Sequence, residues 1–169
     1  PPPPAALPGI RLPPLPAPAA VDPKRILPAG LKDEAYVKAF LGEFGADIGR
    51  PAAFRDAAGH AIAVGEELFK DRAGSAWKVS KMGRAPHVRV LADALKDPDE
   101  IWVDWFEVAP GRSVLRRRYL KRMALPGKAG GWAVFEWTEA GWSGVTNFTA
   151  GAADSLDRQR PGALLYRRK

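Results

Sequence analysis

The chain contains no cysteine, so neither a disulfide nor a thiolate metal ligand holds it together, and its redox compartment stays open. Its two histidines, His60 and His87, are too few for a histidine-built zinc site. No run of about 18 apolar residues occurs, which excludes a membrane-spanning helix. A Gly-rich phosphate loop, a serine-nucleophile elbow and an HExxH helix are all missing, so ATPase, esterase and metalloprotease chemistry lack their usual residues. Nothing in the chain calls for a cofactor.

What is present is enough for one core. The 169 residues are 46% hydrophobic and include six tryptophans, which fits a single domain. Proline is unevenly spread: 11 of the 17 lie in residues 1–28, where missing amide donors and fixed φ favour an extended polyproline stretch. Residues 1–28 therefore read as a disordered proline-rich linker, and residues 29–169 as the folded domain. Within the linker, Leu12-Pro13-Pro14-Leu15-Pro16 has the look of a ligand for an SH3-like partner.

Charge is uneven as well. The net charge is +7, yet residues 1–110 carry 14 basic and 15 acidic side chains, whereas residues 111–169 carry 12 and 4. The last third is thus a concentrated positive field, suited to a polyanion.

The hydrophobic period assigns the elements. Val37, Phe40, Leu41 and Phe44 form a helical stripe with Asp33 as its cap and Gly45 as its stop. Residues 52–64 read as two extended segments about a turn near Ala58-Gly59, with a helical turn from Glu66 to Lys70. Pro86 suits the first turn of a second helix, whose face is Val88, Leu91, Ala92 and Leu95 and whose end is Asp97-Pro98. The period then switches to two, giving strands at Glu100 to Phe106, Val114 to Met123, Trp132 to Thr138, Trp142 to Phe148 and Ala163 to Arg167. Helices before strands with short connections imply an α+β fold: N-terminal amphipathic helices packed on one face of an antiparallel β-meander, with the other face left for a ligand.

The candidates for chemistry follow from that frame. In the arginine run, alternation sends Arg116, Arg118 and Arg122 to one side of a strand and Arg117, Tyr119 and Lys121 to the other. Arginine forks match phosphate bidentately and stabilise a pentacoordinate phosphate, so Arg116 and Arg118 are expected to hold it. His87, at a helix start among basic residues, and Lys121 are candidates for proton transfer, and Thr146 for a hydrogen bond to phosphate. Lys78, Lys81, Arg84 and Arg89 are expected to line a groove, joined by Arg158, Arg160 and Tyr166 as nucleic-acid contacts. Asp93, Asp97, Asp99, Glu100 and Asp104 straddle a helix end, a turn and a strand, a spacing that does not imply a metal site.

The segments ILPAGLKDEAYVKAFLGEFGADIGRP, LADALKDPDEIWVDW, RRRYLKR, GGWAVFEW, GWSGVTNF and LDRQRPGALLYRR together resemble a phage nuclease domain of the barnase, EndoU, colicin and RelE-like superfamily over roughly residues 26–168. Domains of this kind occur at the C-terminal end of Mu F-like phage head morphogenesis proteins, after a proline-rich connector. The resemblance implies metal-independent, toxin-type RNA cleavage through a 2',3'-cyclic phosphate. It also implies an acidic immunity protein as a partner, phage head or portal proteins reached through a parent chain, and action in the cytoplasm of a target or host cell after carriage in a virion. The competing reading is a non-catalytic nucleic-acid-binding or head-assembly module on the same basic sheet.

Overall fold

The computed structural model describes residues 12–71, 74, 76–79, 85–127, 130–139, 141–148 and 152–169, without the side chains of residues 153 and 154. Its framework is a sheet in which the 13-residue strand β5 (Arg112–Ala124) is central. Strand β4 (Glu100–Ala109) pairs with it antiparallel on one side, and β6 (Gly131–Thr138) and then β7 (Gly141–Asn147) follow on the other. The last strand, β8 (Ala163–Arg167), does not continue the meander beyond β7. It crosses back to pair antiparallel with β4. The crossing is made by a short helix, α3 (Ala152–Leu156), and a 3-10 turn at Asp157–Gln159, neither of which the hydrophobic period announces. A two-residue strand, β1 (Ala19–Ala20), adds to β5 in parallel, and β2 (Ala52–Arg55) and β3 (Ala61–Val64) form a separate hairpin.

Two helices cover one face of the sheet, which we call the helix face. In α1 (Asp33–Gly42) the buried side chains are Tyr36, Val37, Phe40 and Leu41, one stripe of the helical period. Asp33 is the first helical residue rather than the cap; Lys32 occupies the cap position and makes no side-chain capping bond. In α2 (Val88–Lys96) six of nine residues are buried, leaving Arg89, Asp93 and Lys96 as its outer stripe. Phe40 centres the core: its ring stacks on Phe135 and Trp142 and meets Phe69 edge-on, with centroids 5.0 to 5.9 Å apart. Packing at this density makes the sheet and helices one cooperative unit.

The pairing register assigns every strand residue to a face. Ile101, Tyr119 and Phe135 lie side by side on the helix face, and Trp102, Arg118 and Glu136 side by side on the opposite, open face. A bulge in β8 opposite Ile101 and Trp102 skips Leu165, so that Tyr166 takes the helix face and Leu164 the open one. Close to this point Gly162 has φ of 97°, and a side chain there would run into the Val103 carbonyl and the Asp104 Cβ.

Of the expected linker, residues 1–11 lie outside the described residues, and residues 12–28 are docked on the domain. Val21 is buried, its amide bonds the Ala124 carbonyl at 2.9 Å, and Arg25 reaches Asp93 and Glu43. The physical reason is that the stretch supplies both an apolar residue for the core and carbonyl oxygens for arginine donors. Among the described residues, no helix is long and apolar enough to cross a membrane.

Gly162→Ala is expected to lower stability by about 1–3 kcal/mol, through a left-handed φ and overpacking against β4. Urea denaturation measures it, and a loss under about 0.5 kcal/mol, the range of ordinary surface changes, would contradict the described approach of β8 to β4.

Candidate nucleic-acid interface

The open face carries a charged group at its centre, built by three adjacent strands. Arg116 and Arg118 project from β5, Asp104 from β4 and Glu136 from β6, as the cross-strand pairs Asp104 with Arg116 and Arg118 with Glu136 dictate. Arg116 grips Asp104 with both ends of its fork, Nε to Oδ1 at 3.0 Å and Nη2 to Oδ2 at 2.8 Å. Arg118 donates Nε to Glu136 Oε1 at 2.8 Å, and its Nη1 stands 3.6 Å from Asp104 Oδ2. Arg116 Nη1 lies 3.8 Å from Glu136 Oε1, so the four groups alternate in sign around a ring. Formal charges cancel within the ring. One donor is left over: Arg118 Nη1 is buried and has no hydrogen-bond acceptor, in a side chain only 9% exposed. An orphaned guanidinium nitrogen costs free energy unless an acceptor meets it.

The rim of this ring is a cleft of about 400 Å³ whose lining includes Arg116, Glu136, Phe106, Ser143, Thr138 and Lys78. Phe106 is partly exposed, and the Arg116 guanidinium lies 4.4 Å over its ring, which holds both in place.

The arrangement brings Arg116 and Arg118 together, with Lys78 on the lining of the cleft beside Arg116, and sets Lys121, Thr146 and His87 apart from them. Lys121 is on the helix face, where Nζ bonds the Asp97 carbonyl and carboxylate, each at 2.7 Å. Burial pushes the Asp97 carboxyl up, but hydrogen bonds from Lys121 and Arg168 outweigh it and hold the group below its ordinary value. Thr146 pairs opposite Ala133 and shares the helix face. His87 is half-buried at the start of α2, 5.9 Å from the Phe148 ring, behind the sheet from the arginines. Its pKa is lowered by burial. Proton transfer at Arg116 and Arg118 by His87, Lys121 or Thr146 is therefore out of reach in this arrangement.

The wider nucleic-acid set divides similarly. Arg89 lies near Glu43, on the far side of α2 from the sheet, and Tyr166 packs half-buried against the helix-side core. Arg158 is exposed on the 3-10 turn after α3. Arg160 is buried instead, with its fork on Glu100 at 2.7 and 2.8 Å and side chains 3% and 0% exposed. Lys81 and Arg84 lie outside the described residues. Asp93, Asp97, Asp99, Glu100 and Asp104 are each engaged by an arginine or lysine rather than converging on a shared point. Much of the C-terminal positive charge is thus neutralised by carboxylates from the first two thirds of the chain.

That Asp104, Glu136 and the Phe106 ring are partners of the arginines is not visible in the sequence. Alternation within WAVFEWT does place Glu136 on a face with Trp132 and Val134, but only the register across strands says that it meets Arg118.

A profile of the phage Barnase-EndoU-ColicinE5/D-RelE like nuclease 2 family matches residues 39–167, from within α1 to the end of β8. The chain belongs to this nuclease family. No curated protein and no solved structure matches it. Membership in a nuclease family makes a nucleic acid the substrate class.

Two measurements follow. Arg160→Met leaves Glu100 buried without its partner and is expected to cost roughly 3–5 kcal/mol, read by thermal or urea unfolding; a neutral result would return Arg160 to the nucleic-acid contacts. Because the folded pKa of His87 lies below its unfolded value, the unfolded chain binds the proton more readily. Stability is then expected to fall as pH drops below about 6.5, and His87→Gln should flatten that slope between pH 7.5 and 5.5.

Proposed function

We propose that this chain is a toxin-type endoribonuclease whose site is the open sheet face around Arg116, Arg118 and Glu136. The observation that carries the reading is the position of the Glu136 carboxylate between two arginine forks, beside a buried Arg118 nitrogen without an acceptor. A phosphodiester fits that geometry: one non-bridging oxygen takes the orphaned donor, and the second arginine meets the charge that grows as phosphorus becomes pentacoordinate. Glu136 then accepts the proton of the adjacent 2'-hydroxyl. The O2'–P bond forms as the P–O5' bond breaks, and Lys78 at the rim supplies the proton to the leaving 5'-oxygen. The products are a 2',3'-cyclic phosphate and a 5'-hydroxyl end, and the sequence of steps needs no metal.

The nuclease domain in this reading spans residues 29–169. An RNA substrate sets its action in the cytoplasm of a target or host cell, to which it travels on a larger carrier such as a phage head protein. Any cell that makes it then needs an acidic immunity protein to cover the open face.

Purified protein incubated with total bacterial RNA in EDTA is expected to give discrete fragments ending in 2',3'-cyclic phosphate. Glu136→Gln, which keeps shape and loses the base, should slow cleavage about 10²–10⁴-fold, and Arg116→Ala/Arg118→Ala should abolish it, in proteins whose circular dichroism matches the wild type. Intact RNA with salt-sensitive binding retained would instead identify a non-catalytic nucleic-acid-binding module.

A further inference from the structure

The open face does not end at Arg118. Two residues further along β5 stands Leu120, and beside it Trp102, Trp132 and Val134 make a small apolar cluster with Ala152 and Leu156 of α3. Leu12 and Leu15 of the proline-rich leader pack on this cluster, so the leader lies across the same face as the arginine ring. Arg122 and Arg167 share that face by register, opposite Trp132 and Glu100 respectively.

The leader's polar contacts are one-sided. The Pro13 carbonyl accepts from Arg160 Nη2 at 2.8 Å, the Pro14 carbonyl from Arg167 Nη2 at 2.8 Å, and the Pro16 carbonyl from Arg122 Nη1 at 3.2 Å. Proline has no amide proton, so residues 12–18 present seven carbonyl acceptors against three amide donors. Three arginines receiving a line of oxygen acceptors is the arrangement that a sugar-phosphate backbone also satisfies. Arg160 is otherwise committed to Glu100 and Asp157, whereas Arg122 and Arg167 have no carboxylate within 4.0 Å among the described residues.

Residues 12, 13, 15, 16 and 18 of the leader are only half-buried. A groove of about 550 Å³ opens between the leader and the turn after α3, lined by Leu12, Pro13, Leu15, Arg122, Leu156 and Arg160 among others. Immediately downstream the chain is firmly held, by β1 on β5 and by the buried Val21. Residues 12–18 thus lie just upstream of an anchored stretch and outside the residues 39–167 matched by the nuclease family.

We propose that residues 12–18 are a pseudosubstrate strap: its proline carbonyls occupy a phosphate track formed by Arg122 and Arg167, which extends the arginine ring and becomes available to single-stranded nucleic acid when the strap lifts. The inference rests on the reading of the open face as a nucleic-acid site, though not on cleavage. Tethering keeps the strap at high local concentration, so the resting chain binds with an affinity reduced by the fraction of time the track is covered. The Leu-Pro-Pro-Leu-Pro run that resembles a ligand for another protein is, on this view, a ligand for its own domain.

The test uses the full chain and a fluorescein-labelled 2'-O-methyl oligoribonucleotide, which lacks the attacking hydroxyl and reports binding alone. Leu12→Asp/Leu15→Asp is expected to bind it roughly 3- to 10-fold more tightly than wild type, with the slope of log affinity against log salt steeper by about 1.4, as two added phosphate contacts require. Adding Arg122→Gln/Arg167→Gln to that variant should undo the gain. Pro13→Gly/Pro14→Gly/Pro16→Gly, which keeps both leucines and only loosens the strap, should shift affinity in the same direction and guards against misfolding of the aspartate variant. Unchanged or weaker binding by the variants that fold, judged by circular dichroism, would overturn the proposal, as would a gain that survives loss of Arg122 and Arg167. Absence of RNA cleavage by every variant would count against the ribonuclease reading and leave this comparison intact.

Discussion

Arg118 and Tyr119 are neighbours in the chain and leave β5 in opposite directions, and the rest of the structure depends on that division. Tyr119 is fully buried under the helices, where burial and the Asp56 carboxylate push its hydroxyl far above the ordinary range, so it remains a proton donor. Arg118 faces the ring of charges. A slip of one residue against β4 or β6 would exchange the two, placing a guanidinium among Phe40, Phe135 and Ile101 and a phenol in the open cleft. The apolar requirement of the helix face therefore fixes the position of the arginines on the other, although no apolar residue touches the bound phosphate in the proposed chemistry.

The ring itself illustrates how a basic protein holds arginines ready. Isolated, Arg116 and Arg118 would repel each other across one strand face. Asp104 and Glu136 remove that repulsion and fix both forks, at the cost of competing with any phosphate that arrives. A site of this kind gains orientation in return for net charge. The leader repeats the compromise with neutral carbonyls, which hold Arg122 and Arg167 without cancelling their charge.

Much of this was legible in the residues. The strands β4 to β8, both main helices and the β2–β3 hairpin follow from period and turn chemistry, since each is a local property of a few residues. The pairing of Arg116 with Arg118 on one face, and of Arg117 with Tyr119 and Lys121 on the other, is alternation alone. What could not be read was everything that crosses between strands: that Glu136 meets Arg118, that β8 returns to β4, and that Lys121 and Thr146 turn away from the arginines. His87 illustrates the limit. Its place at a helix start was visible, but which side of the sheet that helix covers is decided by Leu91 and Leu95 packing on the far face. The leader misled for a different reason: proline content forbids regular pairing but does not forbid docking, and the docking partners lie more than 100 residues downstream.

The Asp56 carboxylate, at the end of β2, has one further consequence. One of its oxygens accepts the amides of Ala58 and His60, which closes the β2–β3 turn, and the other accepts Tyr119 Oη and Arg117 Nη1, which docks that hairpin on the sheet. Local closure and long-range docking thus share a single side chain. The hairpin has no independent existence to fall back on, being only four residues on each side. Its amides should therefore exchange with solvent either not at all or together, in step with the opening of the central strand, so that a loop remote from the arginines reports on the integrity of the strand that carries them.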